Sequence, residues 1–312
     1  MKTGIYLSYV GLGANLLHLS YCHQIAKKNG PVTIITLCKN LEAALADDPL
    51  IEKVFFINEY HKKLIDIFKL GNVLKKFNLK NLLIFYPSIR LYLSAKLAGI
   101  KNVWIYNFLK KKNLHLVKAA RKLTEDFLKI NNCPTESNFF IKKKKLDKVY
   151  QECDNSKFKI VIGAGSSGPT TRWGSKKFSE LINQLNKSDD YFFFILCGPN
   201  EKIIENEIIS DLNKKNYITL SDKNIENLIP YLCASDMYIG NDSFGSHITS
   251  QSGKKSIVML FDSPKAYTDY SQNYYRMVPS GCDIEKITHG TNANPDLITV
   301  DEVIKTINHF KN

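Results

Sequence analysis

The segment most informative about the architecture is KIVIGAGSSGPTTRWGSKKFSELINQL (159–185). It opens with β-branched apolar residues, turns at three glycines and continues with apolar residues at helical spacing. A buried strand, a glycine-rich turn and a helix in succession predict an α/β protein with a parallel sheet. The first strand of the chain falls at 4–10, and further apolar runs recur at 32–37, 53–58, 81–86, 102–107, 191–198, 217–220, 237–242 and 256–261.

The length and the spacing of these runs predict two domains. The chain has 312 residues, and its strand–helix alternation restarts after the polar segment CDNSK (153–157). That length suits about two domains of ordinary size. We predict two Rossmann-like domains, 1–152 and 153–312, facing each other across a cleft, with a C-terminal helix that could pack back on the first. Ligands of open parallel sheets bind beyond the carboxyl ends of the strands, so the segments that follow strands are the candidate sites.

Composition limits the class of protein. No segment has the length and purity of a membrane span, and the N-terminus reaches a glycine turn too early for a secretory signal. The seven cysteines are scattered without a CxxC pair, which favours reduced thiols over disulfides or a zinc site. These features predict a soluble cytoplasmic protein.

The charge is uneven along the chain. Residues 1–150 hold 26 Lys and Arg against 10 Asp and Glu, whereas residues 151–312 hold 17 against 20. The basic half as a whole predicts an anionic partner, although a single run such as Lys110–Lys112 or Lys142–Lys145 is more typical of solvated surface. A nucleic acid is disfavoured as the partner, because no RNA-binding signature is present and one half of the chain is acidic.

The turn that follows the strand at 159–164 is suited to an anion. Its glycines allow close approach of the backbone, the helix start offers free N–H groups, and Arg172 adds a cation. It is not a Walker A loop, because no Gly-Lys-Ser/Thr follows. An ordinary glycine–serine turn with Trp173 in the core explains the pattern equally well. The hydroxyl donors of this turn are Ser166, Ser167, Thr170 and Thr171.

A second strand end, in YIGNDSFGSHITSQSGKKSIVMLF (238–261), carries polar side chains. Asp242 or Ser243 can cap the helix that follows, and Gly245 and His247 lie on it. We predict a second anion pocket here, facing the first; the simpler alternative is a helix cap beside a packed histidine. His247 has no second His or Cys at ligand spacing, so no metal site is predicted.

These segments together resemble glycosyltransferase family 9, the bacterial heptosyltransferases. The similarity lies in GAGSSGPTTRW (163–173), CGP (197–199), GNDSFGSH (240–247), GLGANLL (11–17) and DDPLIEKVFFIN (47–58). The resemblance implies a GT-B fold, with the acceptor in the N-terminal half and the donor in the C-terminal half. It implies metal-independent, inverting transfer of heptose or a related sugar, usually from ADP-heptose, to lipopolysaccharide core without a cofactor. The partners implied are the nucleotide sugar, an anionic glycolipid and the inner face of the inner membrane.

The resemblance also implies residue roles. Ser166 and Ser167 match donor-phosphate contacts, Thr171 stands where the family usually has lysine, and Arg172 is the adjacent cation. Glu201 lies near the place of an acidic ribose contact, within a residue or so. The other donor positions are Asp242, Ser243, Gly245 and His247, and the acceptor side is formed by Gly11, Gly13, Asn15, Ser88 and Arg90.

The catalytic position is unusual. The family's first motif is G-x-G-D-x-L, in which the aspartate is the general base, and here that position is Ala14. His18, one helical turn further on, is the alternative base, although a packing role suits a lone histidine better. Three interpretations stay open: a substitution introduced to trap substrates, a natural variant with another base, or a chain that binds without turnover. The last corresponds to a non-catalytic nucleotide-sugar or glycan-binding protein of the same fold.

Overall fold

The computed structural model describes residues 2–58, 63–107, 115–166 and 168–311. Ser167 and the Lys110–Lys112 run therefore lie outside the described residues. The chain forms two compact units, Met1–Phe140 and Ile141–Asn312, each of them α/β. None of the described helices is both long enough and apolar enough to cross a membrane.

The first unit has a parallel sheet of five strands in the order β3-β2-β1-β4-β5. The strands β1, β2 and β4 are buried along their whole length, as expected for continuous apolar runs covered on both faces. The elements are β1 (Thr3–Leu7), α1 (Leu12–Leu16), α2 (Leu19–Asn29), β2 (Val32–Thr36), α3 (Leu41–Ala44), β3 (Ile51–Phe56), α4 (Asp66–Lys75), β4 (Asn81–Ile84), α5 (Ile89–Leu97), β5 (Asn102–Ile105) and α6 (Leu116–Leu128).

The second unit has a parallel sheet of six strands in the order β11-β10-β9-β6-β7-β8. Its core cluster centres on Trp173, Phe178 and Phe193, between the sheet and its helices. The elements are α7 (Lys143–Glu152), β6 (Phe158–Gly163), α8 (Ser175–Leu185), β7 (Tyr191–Leu196), α9 (Lys202–Ser210), β8 (Tyr217–Thr219), α10 (Ile225–Ala234), β9 (Met237–Asn241), α11 (Phe244–Gln251), β10 (Lys255–Met259), β11 (Tyr274–Met277) and α12 (Val300–Lys311).

The packing of two helices, α7 and α12, shows which unit each of them belongs to. Helix α7 packs on α10, and the C-terminal helix α12 packs on α8, both within the second unit. The Lys142–Lys145 run at the start of α7 therefore belongs to the second unit rather than to the basic one. By units, residues 1–140 hold 21 Lys and Arg against 9 Asp and Glu, and residues 141–312 hold 22 against 21. The excess positive charge is thus confined to the first unit.

The strand order reverses once in each sheet. In the first unit it reverses between β1 and β4, and in the second between β6 and β9. Loops leave the carboxyl ends of these two strands in opposite directions, which opens a crevice between them. Gly11 to Gly13, which are the N-cap and the first residues of α1 and which we call the Gly11–Gly13 turn, follow β1. The loop at 164–172 follows β6, so both segments lie at switch points.

Candidate active site

The floor of the second unit's crevice is backbone. Strands β6 and β9 are so close at their carboxyl ends that a Cβ on Gly240 would lie 2.3 Å from the carbonyl oxygen of Gly163. A Cβ on Gly163 would lie 1.9 Å from the hydroxyl oxygen of Tyr238. Only glycine fits at either position, so the side chains of the site come from the end of β9 and from the segments that follow the strands.

Asn241, the last residue of β9, joins two of these loops. Its side-chain amide donates to the Ala164 carbonyl over 2.7 Å, and its Oδ1 accepts from the Trp173 N–H over 2.9 Å. It is fully buried. Sequence reasoning did not single out Asn241; the available signal was a polar residue at the end of an otherwise apolar strand.

Glu201 connects the loops after β6 and β7. Its Oε1 accepts from the Ser166 N–H at 2.9 Å and from Nη2 of Arg172 at 2.7 Å. Its Oε2 accepts from the Gly198 N–H at 2.7 Å. The structure therefore brings three residues predicted from separate motifs into one hydrogen-bonded cluster, with Glu201 at its centre.

The cation of this cluster keeps unused donor capacity. Nε of Arg172 is buried and has no hydrogen-bond partner among the described residues. The hydroxyl oxygen of Thr171 lies 2.7 Å from Oγ of Ser166 and 2.8 Å from the Gly168 carbonyl oxygen, within hydrogen-bond distance of both, which fixes the loop beside Arg172. A buried guanidinium N–H without a partner is costly, and a phosphate or carboxylate oxygen is its natural acceptor.

The residues after β9 occupy the same crevice. Ser243 is the N-cap of α11, but its hydroxyl bonds to Tyr238 at 3.0 Å instead of a helix N–H. Asp242 is half-buried, and desolvation raises its pKa against the opposing effects of Ser263 and His289. Gly245 packs on Leu196, where a Cβ would approach to 2.4 Å. The N-terminus of α11 therefore presents unused backbone donors at the crevice.

His247 is a packed residue within this helix. Its Nδ1 is 2.9 Å from the Tyr270 hydroxyl, and the two rings are stacked with an interplanar angle of 7°. Burial lowers the pKa of His247 to about 3, so the imidazole is neutral at pH 7. It can offer a neutral hydrogen bond to a ligand but no charge.

We expect Gly165→Ala to lower the free energy of unfolding by about 1–3 kcal/mol, through steric strain and lost hydrogen bonds. The new Cβ would lie 2.1 Å from Oε2 of Glu201 and 3.2 Å from the Cα of Cys197, so the carboxylate must leave its partners. The matched control is Gly168→Ala, in the same loop, where nothing lies within 4 Å and φ is −160°. Urea unfolding followed by tryptophan fluorescence measures both; equal stability of the two variants would contradict the role of Glu201.

The turn of the first unit is held by Asn15. Its buried amide donates to the carbonyls of Tyr9 and Gly11 over 2.9 and 2.7 Å, and its Oδ1 accepts from Thr36 over 2.8 Å. Ala14, the residue before it, is partly exposed in the short helix α1. The residues at 14–27 have the spacing of one helix in the sequence, but the structure divides them between two helices, α1 and α2, separated at residues 17 and 18.

His18 lies beneath this turn. It is fully buried, with Nδ1 at 2.8 Å from the Ala14 carbonyl and Nε2 at 3.1 Å from the Tyr106 hydroxyl. The ring also stacks on Tyr9, with centroids 5.0 Å apart. Burial lowers its pKa to about 4. Both ring nitrogens are engaged within the protein, so the geometry favours a packing role.

The remaining acceptor-side residues follow β4. Ser88 is the N-cap of α5 and Arg90 lies in its first turn. The Tyr9 hydroxyl donates to the Phe85 carbonyl over 2.9 Å, which ties the loop after β1 to the end of β4. The polar residues predicted for the acceptor therefore share one switch point with the Gly11–Gly13 turn.

A separate cavity lies in the second unit between α7 and α10. Its volume is about 600 Å³, and its lining includes Lys144, Lys148, Lys223 and Tyr231. Lys145 pairs with Glu226 there at 3.2 Å. Its lining residues belong to α7, to the segment 222–224 and to α10, and none of the residues predicted for the donor site is among them. Within the described ranges, no group of three His, Cys, Asp or Glu side chains could hold a metal ion.

Comparison with known proteins agrees with this geometry. The family profile of glycosyltransferase family 9 (heptosyltransferase) matches residues 98–282, more than half of the chain. No curated protein matches the sequence. ADP-heptose lps heptosyltransferase II from E. coli has a TM-score of 0.77 at 15% identity, covering 99% of this chain and 98% of its own.

Two further solved structures show the same fold. A family 9 glycosyl transferase from Veillonella parvula has a TM-score of 0.79 at 15% identity, covering 99% of this chain and 96% of its own. E. coli heptosyltransferase WaaC with ADP has a TM-score of 0.72 at 13% identity, covering 99% and 97%. The predicted family and the α/β, GT-B fold class are confirmed. The chain belongs to glycosyltransferase family 9 and is a glycosyltransferase by family.

Proposed function

We propose that this chain binds a nucleoside-diphosphate sugar, ADP-heptose or a close relative, and that its fold serves inverting transfer of that sugar to an anionic glycolipid of the lipopolysaccharide-core type. The observation that carries the proposal is the pairing of Arg172 with Glu201 beside the N-terminus of α11, at the switch point of the second unit. The sugar transfer would take place at the cytoplasmic face of the inner membrane, without a cofactor.

The donor site follows from the charges of a nucleoside diphosphate. The pyrophosphate is the leaving group, and negative charge grows on it as the glycosidic bond breaks. Arg172 and the free N–H groups of α11 can stabilise that charge, the role that a divalent cation has in metal-dependent enzymes. Glu201 can accept hydrogen bonds from the ribose hydroxyls, because a carboxylate has several acceptor positions.

The transfer step needs a base in the first unit. The acceptor oxygen forms a bond to the anomeric carbon, the bond from that carbon to the pyrophosphate breaks, and the electron pair leaves with the diphosphate. Attack opposite the leaving group inverts the configuration. The proton of the acceptor hydroxyl must go to a base, and position 14 offers only a methyl group.

The environment of His18 indicates that this residue does not replace the general base missing at position 14. A histidine whose pKa is lowered to about 4, with both nitrogens engaged, is poorly placed to accept the proton. A non-catalytic binding protein is the second candidate function, favoured by the same two residues. The two functions share the donor site and differ only in turnover.

Calorimetry with nucleotides tests the donor proposal. We expect ADP to bind at least tenfold more tightly than AMP, because only the second phosphate adds charge-assisted hydrogen bonds at Arg172. Titrations with UDP and GDP establish the base preference. Equal affinity for ADP and AMP, or no binding of any diphosphate, would remove the basis of the proposal. Release of ADP from ADP-heptose with a Kdo-lipid acceptor separates the transferase from the binding protein.

A further inference from the structure

An apolar surface is exposed on the first unit. Three large side chains lie on the turn before α4 and on its first helical residues, and three more lie along α5. They are between 43% and 76% exposed: Leu64, Ile65, Phe68, Ile89, Leu93 and Leu97. The α5 residues recur every four positions and therefore form one stripe along the helix.

These residues form one surface because the two helices lie side by side. Both connect parallel strands of the same sheet, so both run in the same direction. A Cβ on Gly71 would lie 3.3 Å from the Cβ of Leu97, which fixes the level at which α4 meets α5. Counting one helical turn from this point towards the N-termini, we expect Phe68 and Leu93 at about the same level. Leu64 and Ile65 directly precede α4, and Ile89 is the first residue of α5.

Core packing does not account for this surface. The opposite faces of the same helices already supply Leu70, Leu74, Leu91 and Ala95 to the core beneath the sheet. Scattered exposed apolar residues are ordinary, but a stripe on two adjacent helices marks an interaction site. We name these six residues the α4–α5 surface.

The charge around the α4–α5 surface is of one sign. Residues 63–101 contain eight Lys and Arg and one acidic residue, Asp66. Asp66 is buried and accepts from the Lys63 N–H over 2.8 Å. Lys63, Lys69 and Lys96 are exposed on the turn and helices that carry the apolar residues. The exposed charged side chains that the described turn and helices carry here, those of Lys63, Lys69 and Lys96 among them, are therefore positive.

We propose that the α4–α5 surface binds an anionic lipid bilayer. Apolar side chains framed by lysines fit the boundary between head groups and acyl chains, where the negative surface potential of an anionic bilayer attracts each lysine. A second copy of the chain fits poorly, because pairing two such faces would bring the exposed lysines of one copy, Lys63, Lys69 and Lys96, against those of the other. A wholly polar anion fits poorly as well, since it leaves the apolar stripe exposed.

The inference rests on the proposed function in one respect, because the surface lies next to the site proposed for the acceptor. Ile89 follows Ser88 at the carboxyl end of β4, and exposed Val10 lies in the loop after β1. The surface therefore begins at the switch point proposed for the acceptor. A glycolipid could keep its acyl chains in the bilayer while its sugar reaches the Gly11–Gly13 turn.

Vesicle flotation tests the inference with the full chain. We expect the chain to bind vesicles of phosphatidylcholine with 30% phosphatidylglycerol about tenfold or more tightly than vesicles of phosphatidylcholine alone. The difference arises because the lysines are attracted only to anionic head groups. The double variant Phe68→Glu/Leu93→Glu should weaken binding at least tenfold, and Lys69→Glu/Lys96→Glu should weaken it and reduce its salt dependence. The matched control is Ile203→Glu in the second unit, which is 73% exposed and should bind like the unmodified chain.

Several outcomes overturn the inference. They are an unmodified chain that does not float, variants that float like the control, or a concentration-dependent dimer that the apolar variants abolish. Failure of the proposed function is distinguishable, because transfer to a deacylated, water-soluble acceptor does not need the bilayer. Loss of flotation with retained ADP binding identifies the surface; flotation without ADP binding rejects the donor proposal alone.

Discussion

Replacement of Ala14 by aspartate is expected to raise the rate of sugar transfer by about 10²–10⁴-fold, the usual contribution of a general base. The base acts on the acceptor proton as the new bond forms, so the affinity for the donor should stay nearly unchanged. The gain depends on a carboxylate at the position where the family motif has one. It does not depend on His18, whose nitrogens are engaged inside the protein.

The surroundings of position 14 accept this change. Ala14 is partly exposed, and the turn is held by the side chain of Asn15 rather than by its own methyl group. Single-turnover transfer should be measured for the unmodified chain, Ala14→Asp and the near-isosteric control Ala14→Asn. If all three react equally, position 14 does not carry the base. Unequal donor affinities would instead point to a change in the binding site.

Arg172→Met is expected to weaken the binding of ADP by about 10–100-fold. A hydrogen bond to a charged group contributes about 1.5–3 kcal/mol, and each 1.4 kcal/mol is a factor of ten in affinity. The substitution also leaves the Glu201 carboxylate without its cation, so the phosphate would meet an unneutralised negative charge. Affinity for AMP should fall less, if its single phosphate lies further from Arg172.

A second arginine of the same unit provides the control. Arg276 pairs with Asp269 at 3.1 Å, and its side chain is 22% exposed compared with 31% for Arg172. Arg276→Met should leave ADP affinity within about twofold, because it lies outside the β6–β9 crevice. Calorimetry of both variants measures the difference. An equal loss in both would show a general effect of removing positive charge, and no loss in Arg172→Met would place the phosphates elsewhere.

The sequence was sufficient for most of the fold. All ten strands expected from apolar runs are present, although most end one to three residues earlier, where the chain turns into the loops of the crevice. Strand β11 was missed because Tyr274–Met277 is short, contains an arginine and lies at the sheet edge. The break between α1 and α2 was missed because the apolar spacing continues through it. Local periodicity does not record where a helix changes direction.

The donor site was predictable in its residues but not in its contacts. Arg172 and Thr171 were found from a glycine-rich turn, and Glu201 from a family resemblance. Their hydrogen bonds could not be read from spacing, since Glu201 joins residues 29 and 35 positions away. Asn241 was missed for the same reason, because its partners lie 77 and 68 positions away.

The distribution of charge between the two units could not be predicted from the sequence alone. By sequence, the Lys142–Lys145 run extends the basic half, whereas helix packing assigns it to the nearly neutral unit. The α4–α5 surface was also missed, because its exposed residues alternate with core residues on the same helices. An apolar residue in sequence does not reveal which side of its helix it occupies.

The carboxylate of Glu201 also affects which anions can bind beside Arg172. It already neutralises the cation that a phosphate would use, so a ligand gains only the difference between two ion pairs. A singly charged metabolite gains little binding free energy by replacing Glu201 as the partner of Arg172. A doubly charged pyrophosphate can displace the carboxylate or bind Arg172 together with it. Glu201 would thereby make the crevice selective for charge. Its carboxylate disfavours the binding of common monoanions, and only ligands with more negative charge than one carboxylate would bind well.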